Sequence, residues 1–321
     1  MAAVDSFQFL YREISRSCSS YCETLALVGA LYTASRAVIM LSDCCTLVRV
    51  HFLPRMIPCR KLTQSYGDWA VIYGASEPVA KAYAEELARH GISIIFVSQD
   101  NTSIRDTAAS LSQSYEVETT VVLADLSLGH AASKPIKEAM RGKDIGFLVN
   151  CVDESLTSPQ SLIEVPEQGL WDQVNKNVTF ATLMTRLVLP GMVERSRGAV
   201  VNISSGACCR PLHGRVTLTA FTGYMDHFSR ALHLEYSGRG IFIQSLIPFQ
   251  IASSGQQPSS SSSTEGWFVP KPEVYARHAI STLGVSNRTT GYWPHTLQYG
   301  LMRCIPEWIW VLGSRVLISA S

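Results

Sequence analysis

WAVIYGASEPVAKAYAEELARHGISIIFVS, residues 69–98, decides the fold. WAVIYG (69–74) is an apolar run ending in glycine, the form of a strand buried on both faces. Pro78 then opens a helix reaching His90, where a proline is tolerated because a first-turn N–H has no intrahelical partner. SIIFVS (93–98) is a second buried strand. Strand, helix and strand within thirty residues form the repeating unit of a parallel sheet. The pattern continues downstream. Strands are expected at VETTVVLAD (117–125), IGFLVN (145–150), GAVVNISS (198–205) and IFIQSLI (241–247). Helices are expected near Ser103–Gln113, Gly169–Glu194 and Thr217–Glu235. The class is α/β, a Rossmann-like doubly wound parallel sheet occupying residues 66–321.

Residues 1–65 read differently. TLALVGALYTAS (24–35) is apolar, Arg36 interrupts, and AVIMLSDCCTLVRVHFL (37–53) resumes. No stretch reaches about 18 uncharged apolar residues, so a helical hairpin lying in or against a membrane is expected, with a helix packed on the main domain as the alternative. Asp5 and Glu13 weigh against a simple presequence. Beyond Pro248, Ser253–Thr264 is Ser/Gln/Pro/Gly-rich and reads as a mobile loop, and Lys271–Leu283 as a helix. The tail 297–318 carries Trp308 and Trp310 and suits core or dimer packing, or a membrane interface.

Composition narrows the function classes. A charged fraction of 17% against 46% hydrophobic favours a membrane-facing surface, and a net charge of +1 leaves no footprint for nucleic acid. Nine cysteines without a C-x-x-C pair argue against a zinc site and a disulfide framework, so buried free thiols and no metal are expected.

AKAYAEELA (80–88), LVLPGMVERSRGAVVNISSGACC (187–209), MDHFSRAL (225–232) and QSLIPF (244–249) give the chain a specific likeness. Across about residues 67–250 it resembles the short-chain dehydrogenase/reductase family, in particular the membrane-bound 17β-hydroxysteroid dehydrogenase group. STLGVSNRTTGYW (281–293) and PEWIW (306–310) extend the resemblance to inactive members of that group.

The resemblance implies a serine ending strand five, a tyrosine thirteen residues later, a lysine four beyond that, and an asparagine in the preceding helix. Ser205 and Asn177 stand at the serine and asparagine positions, and each also suits a structural role, as a strand-end cap and a backbone bridge. The other two positions hold Leu218 and Thr222. Leucine has no titratable proton, and threonine has no charge to lower a phenol's pKa. None of the twelve tyrosines has lysine four residues on. Tyr224 lies about 9 Å along the helix from Leu218 and on another face. His213 and His227 read as surface or packing residues rather than relays.

The resemblance also implies NADP(H), held by Gly-x-x-x-Gly-x-Gly. Here the loop reads Gly74-Ala75-Ser76-Glu77-Pro78-Val79-Ala80, so one glycine of three remains. Pro78 offers no N–H to a phosphate, Ala80 adds a methyl where the helix approaches the sheet, and Glu77 adds negative charge. Gln99 stands where NADP-preferring relatives often carry arginine. Asp125 matches an adenine-contacting acid, and Asn150 keeps the first residue of Asn-Asn-Ala-Gly, whose glycine is Asp153. Thr222 replaces the ribose-binding lysine as well as the catalytic one.

The expected function is therefore that of a pseudoenzyme, a binding or scaffolding partner. The alternatives are a weak NADP(H)-binding regulatory module and a residual steroid or acyl oxidoreductase. The resemblance implies a mitochondrial address, with the endoplasmic reticulum membrane as the alternative, and a homodimer built on the long helices. A lipid or steroid-like ligand and an unidentified protein partner complete the expectations.

Overall fold

A computed structural model describes residues 2–56, 62–74, 77–98, 102–124, 133–152, 161–252, 266–311 and 313. Ala75, Ser76, Gln99, Asp125, Asp153, the serine-rich 253–264 stretch and the distal tail fall outside them. By contacts the chain forms two compact units, Met1–Arg49 and Val50–Ser321, a division at 49/50 where the sequence suggests 65/66.

The first unit is helical, built on the helix α1 (Ala2–His51). The expected hairpin is not there. Residues 24–49 contain no cluster of turn-forming residues, and Arg36 is a good helix former whose Nε donates to Tyr32 Oη at 3.1 Å. The stretch Tyr21–Met56 is long and apolar enough to cross a membrane, and none of its most apolar window is buried. Its cysteines depart from expectation too: Cys22, Cys44 and Cys45 are exposed, because nothing in this unit covers a single helix.

In the second unit, short helices α2 (Leu53–Met56) and α3 (Leu62–Tyr66) lead to β1 (Trp69–Tyr73), α4 (Pro78–Arg89), β2 (Ser93–Ser98), α5 (Thr102–Tyr115) and β3 (Thr119–Leu123). Next come α6 (Ser133–Met140), β4 (Ile145–Cys151), α7 (Glu167–Val174), a π-turn (Asn175–Phe180) and α8 (Ala181–Glu194). The chain continues through β5 (Gly198–Ile203), α9 (Val216–Tyr236), β6 (Ile241–Leu246), α10 (Pro272–Ser281), β7 (Arg288–Thr289) and α11 (Trp293–Cys304). All strands pair in parallel in the order β3-β2-β1-β4-β5-β6-β7. The expected doubly wound sheet is present, with its switch of winding direction between β1 and β4.

Alternation along the strands builds two cores. Ala70, Ile72, Ile94, Phe96, Phe147 and Val149 face Tyr83, Leu87, Tyr275 and Ala279 of α4 and α10. Val71, Ile95, Leu148 and Val200 face Met184, Val188 and Met192 of α8. A period of two in a strand sends successive side chains to opposite faces, so strands covered on both sides must be apolar throughout.

Candidate functional site

In a doubly wound sheet the site lies beyond the carboxyl ends of the strands, at the switch of winding direction. Here β1 leads into Gly74, whose φ is +80°. A Cβ at Gly74 would lie 2.7 Å from the Cys151 carbonyl oxygen and 3.1 Å from its Cβ. The surviving glycine is thus required by the β1–β4 contact, whether or not a phosphate binds. Glu77 is the N-cap residue of α4 and lies largely buried, while Pro78 takes the first helical position. Val79 and Ala80 are buried against the sheet, so the methyl of Ala80 is absorbed by packing.

Asn150 serves as a tie rather than a ligand-facing group. It is fully buried in β4, and its Nδ2 donates to Asn202 Oδ1 at 2.9 Å and to Thr185 Oγ1 at 3.3 Å. Asn202 Nδ2 donates in turn to Ser229 Oγ at 2.8 Å, which donates to the Met225 carbonyl. This buried polar chain links α8, β4, β5 and α9. A cost of about 1–3 kcal/mol for an unsatisfied buried group explains why the amide donors of Asn150 and Asn202 are both paired.

Asn177 sits in the π-turn, nearly fully buried, with Nδ2 donating to the Gln173 carbonyl at 3.0 Å. The extra residue of a π-turn strains the helical ladder, and Tyr73 Oη donates to the Lys176 carbonyl at 2.9 Å within it. Ser205 caps the 3-10 turn Gly206–Cys208, its Oγ accepting from the Ala207 N–H at 3.4 Å. Both residues thus perform the structural tasks that the sequence suggests as alternatives to catalysis.

The centre of the site is apolar. Val152, Ala181, Ala207, Leu218, Phe221 and Met225 form one buried cluster, with Val174, Val178, Leu212 and Tyr224 against it. These residues lie next in sequence to three of the expected positions: Val152 follows Asn150 by two, Val178 follows Asn177 by one, and Ala207 follows Ser205 by two. Leu218 is 3% exposed and lies within the cluster itself. Thr222 is fully buried, and its Oγ1 is spent on the Leu218 carbonyl at 2.7 Å and the Thr219 carbonyl at 3.2 Å. Tyr224 bonds Thr182 at 2.6 Å and stacks on Phe228, and His213 and His227 are exposed. Tyr224 is the described phenol at the cluster, and its hydroxyl is engaged with Thr182 rather than with Ser205 or Asn177.

A nicotinamide dinucleotide fits the described residues poorly. Its ribose would need a donor at position 222, where a sealed hydroxyl already has backbone partners. The nicotinamide end would meet the Leu218 cluster, and the first helical residue beneath the pyrophosphate has no N–H. Asn150 Oδ1 is a buried oxygen without a protein partner, but the residue is fully enclosed. Sequence reasoning identified the positions and missed the apolar cluster that holds Leu218, because only tertiary packing brings Val152, Ala207 and Leu218 together.

Fold and site together define a short-chain dehydrogenase, and residues 68–263 match that family's profile, so the chain belongs to it. It is 56% identical over 321 residues to the inactive hydroxysteroid dehydrogenase-like protein 1 of Danio rerio, covering 100% of both chains. The human protein of the same name is 49% identical over 99% of this chain and 96% of its own. Human very-long-chain 3-oxoacyl-CoA reductase is 34% identical over 76% and 78% respectively. A solved 7β-hydroxysteroid dehydrogenase superposes with a TM-score of 0.68 at 22% identity, covering 79% of this chain and 98% of its own. A Sphingobium yanoikuyae short-chain dehydrogenase in complex with NADPH gives 0.58 at 23% identity, over 74% and 96%. These two likenesses concern the fold.

Proposed function

We propose that this chain is a catalytically inactive short-chain dehydrogenase homologue whose fold serves as a binding or scaffolding platform held at a membrane by α1. The observation that carries the reading is the burial of Leu218 in an apolar cluster and of Thr222 one helical turn on, its hydroxyl held by backbone, where the family's chemistry needs a phenol and an ammonium. The names of its full-length relatives, which call them inactive, support the same conclusion. Losing one positioned proton donor costs about 10²–10⁴ in rate, and here its activating cation is absent as well.

Membrane attachment is supported by the 36-residue apolar stretch Tyr21–Met56. Within it Thr24, Thr33, Ser35 and Thr46 each donate to a backbone carbonyl three or four residues back, which satisfies hydroxyls that lipid cannot. The compartment proposed is the mitochondrion, with the endoplasmic reticulum as the rival; imaging the full chain against markers of both decides between them. An amphipathic lipid or steroid-like molecule suits a groove of about 360 Å³ between α6 and α8, floored by Leu183, Leu187 and Pro190 and flanked by Lys137 and Arg186. A protein partner and a homodimer through α8 and α9 belong to the same reading. The rival role is a weak NADP(H)-binding regulatory module.

Calorimetric titration of NADPH and NADH into the purified full chain separates the two. The platform reading expects no saturable binding up to millimolar nucleotide by a protein that still unfolds cooperatively. Saturable micromolar binding would replace it with the regulatory-module reading.

A further inference from the structure

Cys208 and Cys209 end the 3-10 turn that Ser205 caps, and neither has a role in the family's chemistry. Both are half-buried, and their Sγ atoms are 3.5 Å apart. Arg288 Nη2 lies 4.0 Å from Cys209 Sγ. That guanidinium is fixed by other contacts: Nε donates to Asp226 at 2.9 and 3.2 Å, and Nη1 donates to Tyr299 Oη at 2.9 Å.

The two thiols are electrostatically unequal. Hydrogen bonding from Cys208, and then the Arg288 cation, hold Cys209 below the usual thiol range against burial and the Asp226 carboxylate. The same hydrogen bond, followed by burial, pushes Cys208 upward. Cys209, the sulfur that Arg288 approaches, is the better placed to attack, and Cys208, 3.5 Å from it, to resolve.

We propose that Cys208–Cys209 is a two-electron oxidation site for hydroperoxides, with Cys209 as the attacking sulfur and Cys208 as the resolving one. The Cys209 thiolate attacks the peroxide, forming an S–O bond and breaking O–O; the departing alkoxide or hydroxide takes up a proton. Cys208 sulfur, its proton released, then displaces the sulfenic oxygen, which leaves as water. The peroxide is reduced to alcohol or water, and two thiols become one disulfide.

Consecutive Cα atoms are about 3.8 Å apart, closer than the usual disulfide span of about 4.4–6.8 Å, so the bridge is strained and readily reduced again. Closing the sulfurs to about 2.05 Å moves the local backbone. The next two residues anchor the C-terminal segment: Arg210 Nη2 donates to the Ile305 carbonyl at 2.5 Å, and Trp310 Nε1 donates to the Pro211 carbonyl at 2.9 Å. Oxidation therefore loosens the attachment of residues 305–310.

The test exposes the reduced full chain, in detergent, to hydrogen peroxide at about one equivalent, followed by alkylation and peptide mass spectrometry. The expected result is a peptide containing Cys208 and Cys209 that has lost two hydrogens, resists alkylation and is restored by dithiothreitol. This change precedes oxidation of the exposed Cys22, Cys44, Cys45 and Cys304. Cys208→Ser stops at a sulfenic acid on Cys209 that dimedone captures, and Cys209→Ser leaves Cys208 reduced. Arg288→Gln slows the reaction about tenfold; because it also strands Asp226, the two serine variants, checked for unchanged melting, carry the test independently. A pair that stays alkylatable while the exposed cysteines oxidise overturns the proposal, as does dimedone labelling of Cys208 in place of Cys209. Hydrogen exchange at 305–310 rises with oxidation and falls on reduction; unchanged exchange after complete bridging overturns the coupling to the tail.

Discussion

Replacing Thr222 with lysine, the residue the family's chemistry requires, should damage this protein rather than repair it. The position is fully buried in α9, whose backbone takes its hydroxyl, one turn on from Leu218 of the apolar cluster. A lysine enclosed there has to give up its proton or break the packing. Holding an amine of ordinary pKa about 10.4 neutral near pH 7 costs about 3.4 pH units at about 1.36 kcal/mol each, or about 4.6 kcal/mol. Whole domains are stable by only about 5–15 kcal/mol. The sign of the pH dependence follows from linkage. The folded-state pKa is lowered, the unfolded chain binds more protons, and stability rises with pH. The deficit should shrink to about 1.2 kcal/mol near pH 9.5. Urea unfolding of the full chain at both pH values, with Thr222→Met as an uncharged control of similar length, reads this directly. Identical midpoints for the lysine and methionine variants at both pH values would refute the reasoning, because they would mean that position 222 opens to water. Adding Leu218→Tyr should still give no NADPH-dependent reduction of a ketosteroid or 3-oxoacyl substrate, and turnover would revive the residual-oxidoreductase reading.

Three further outcomes are expected. Gly74→Ala combines a φ of +80° with a 2.7 Å approach to the Cys151 carbonyl, so it should lower stability by about 1–3 kcal/mol, read as a fall in melting temperature; an unchanged melt removes the structural explanation for this glycine. Asn202→Ala breaks the buried polar chain at its centre and should cost about 1–3 kcal/mol by urea titration, whereas a loss within error would mean water replaces the amide. His295 is fully buried, accepts from the Phe249 N–H and donates to the Phe268 carbonyl, and burial holds its pKa down at about 4. Its neutral form is the one the fold needs. Stability should fall as pH drops from about 6.5 toward 4, by up to about 1.4 kcal/mol per pH unit. His295→Asn should flatten that slope in part, His278 and His51 being held near 4 as well; an unaltered slope assigns it elsewhere.

The buried strands were legible because a sheet covered on both faces demands apolar runs, and β1, β2, β4, β5 and β6 have them, while β3 at the sheet edge is only half-buried and begins with two threonines. β7 was not, since Arg288–Thr289 carries no periodicity and joins the sheet through its neighbour β6. Arg36 looked like an interruption in the apolar arm, yet a long cation is at home in a helix when its stem and nitrogen lie along the preceding turn. The positions of the candidate site were legible from spacing after Ser205 and Gly74. What occupies the space was not: the cluster draws on five separate segments, and no local pattern announces that they meet. The π-turn at Asn177 was equally silent, because its backbone distortion is satisfied from β1 by Tyr73.

The apolar cluster has a consequence for descent. A tyrosine regained alone at 218 would place a hydroxyl among Val152, Ala207 and Phe221, and a lysine regained alone at 222 would bury a charge. Each single step backward loses stability before any chemistry returns, and the steps are useless apart. The packing thus works as a ratchet: with leucine and threonine seated at 218 and 222, a change at either position alone loses packing before it can add chemistry.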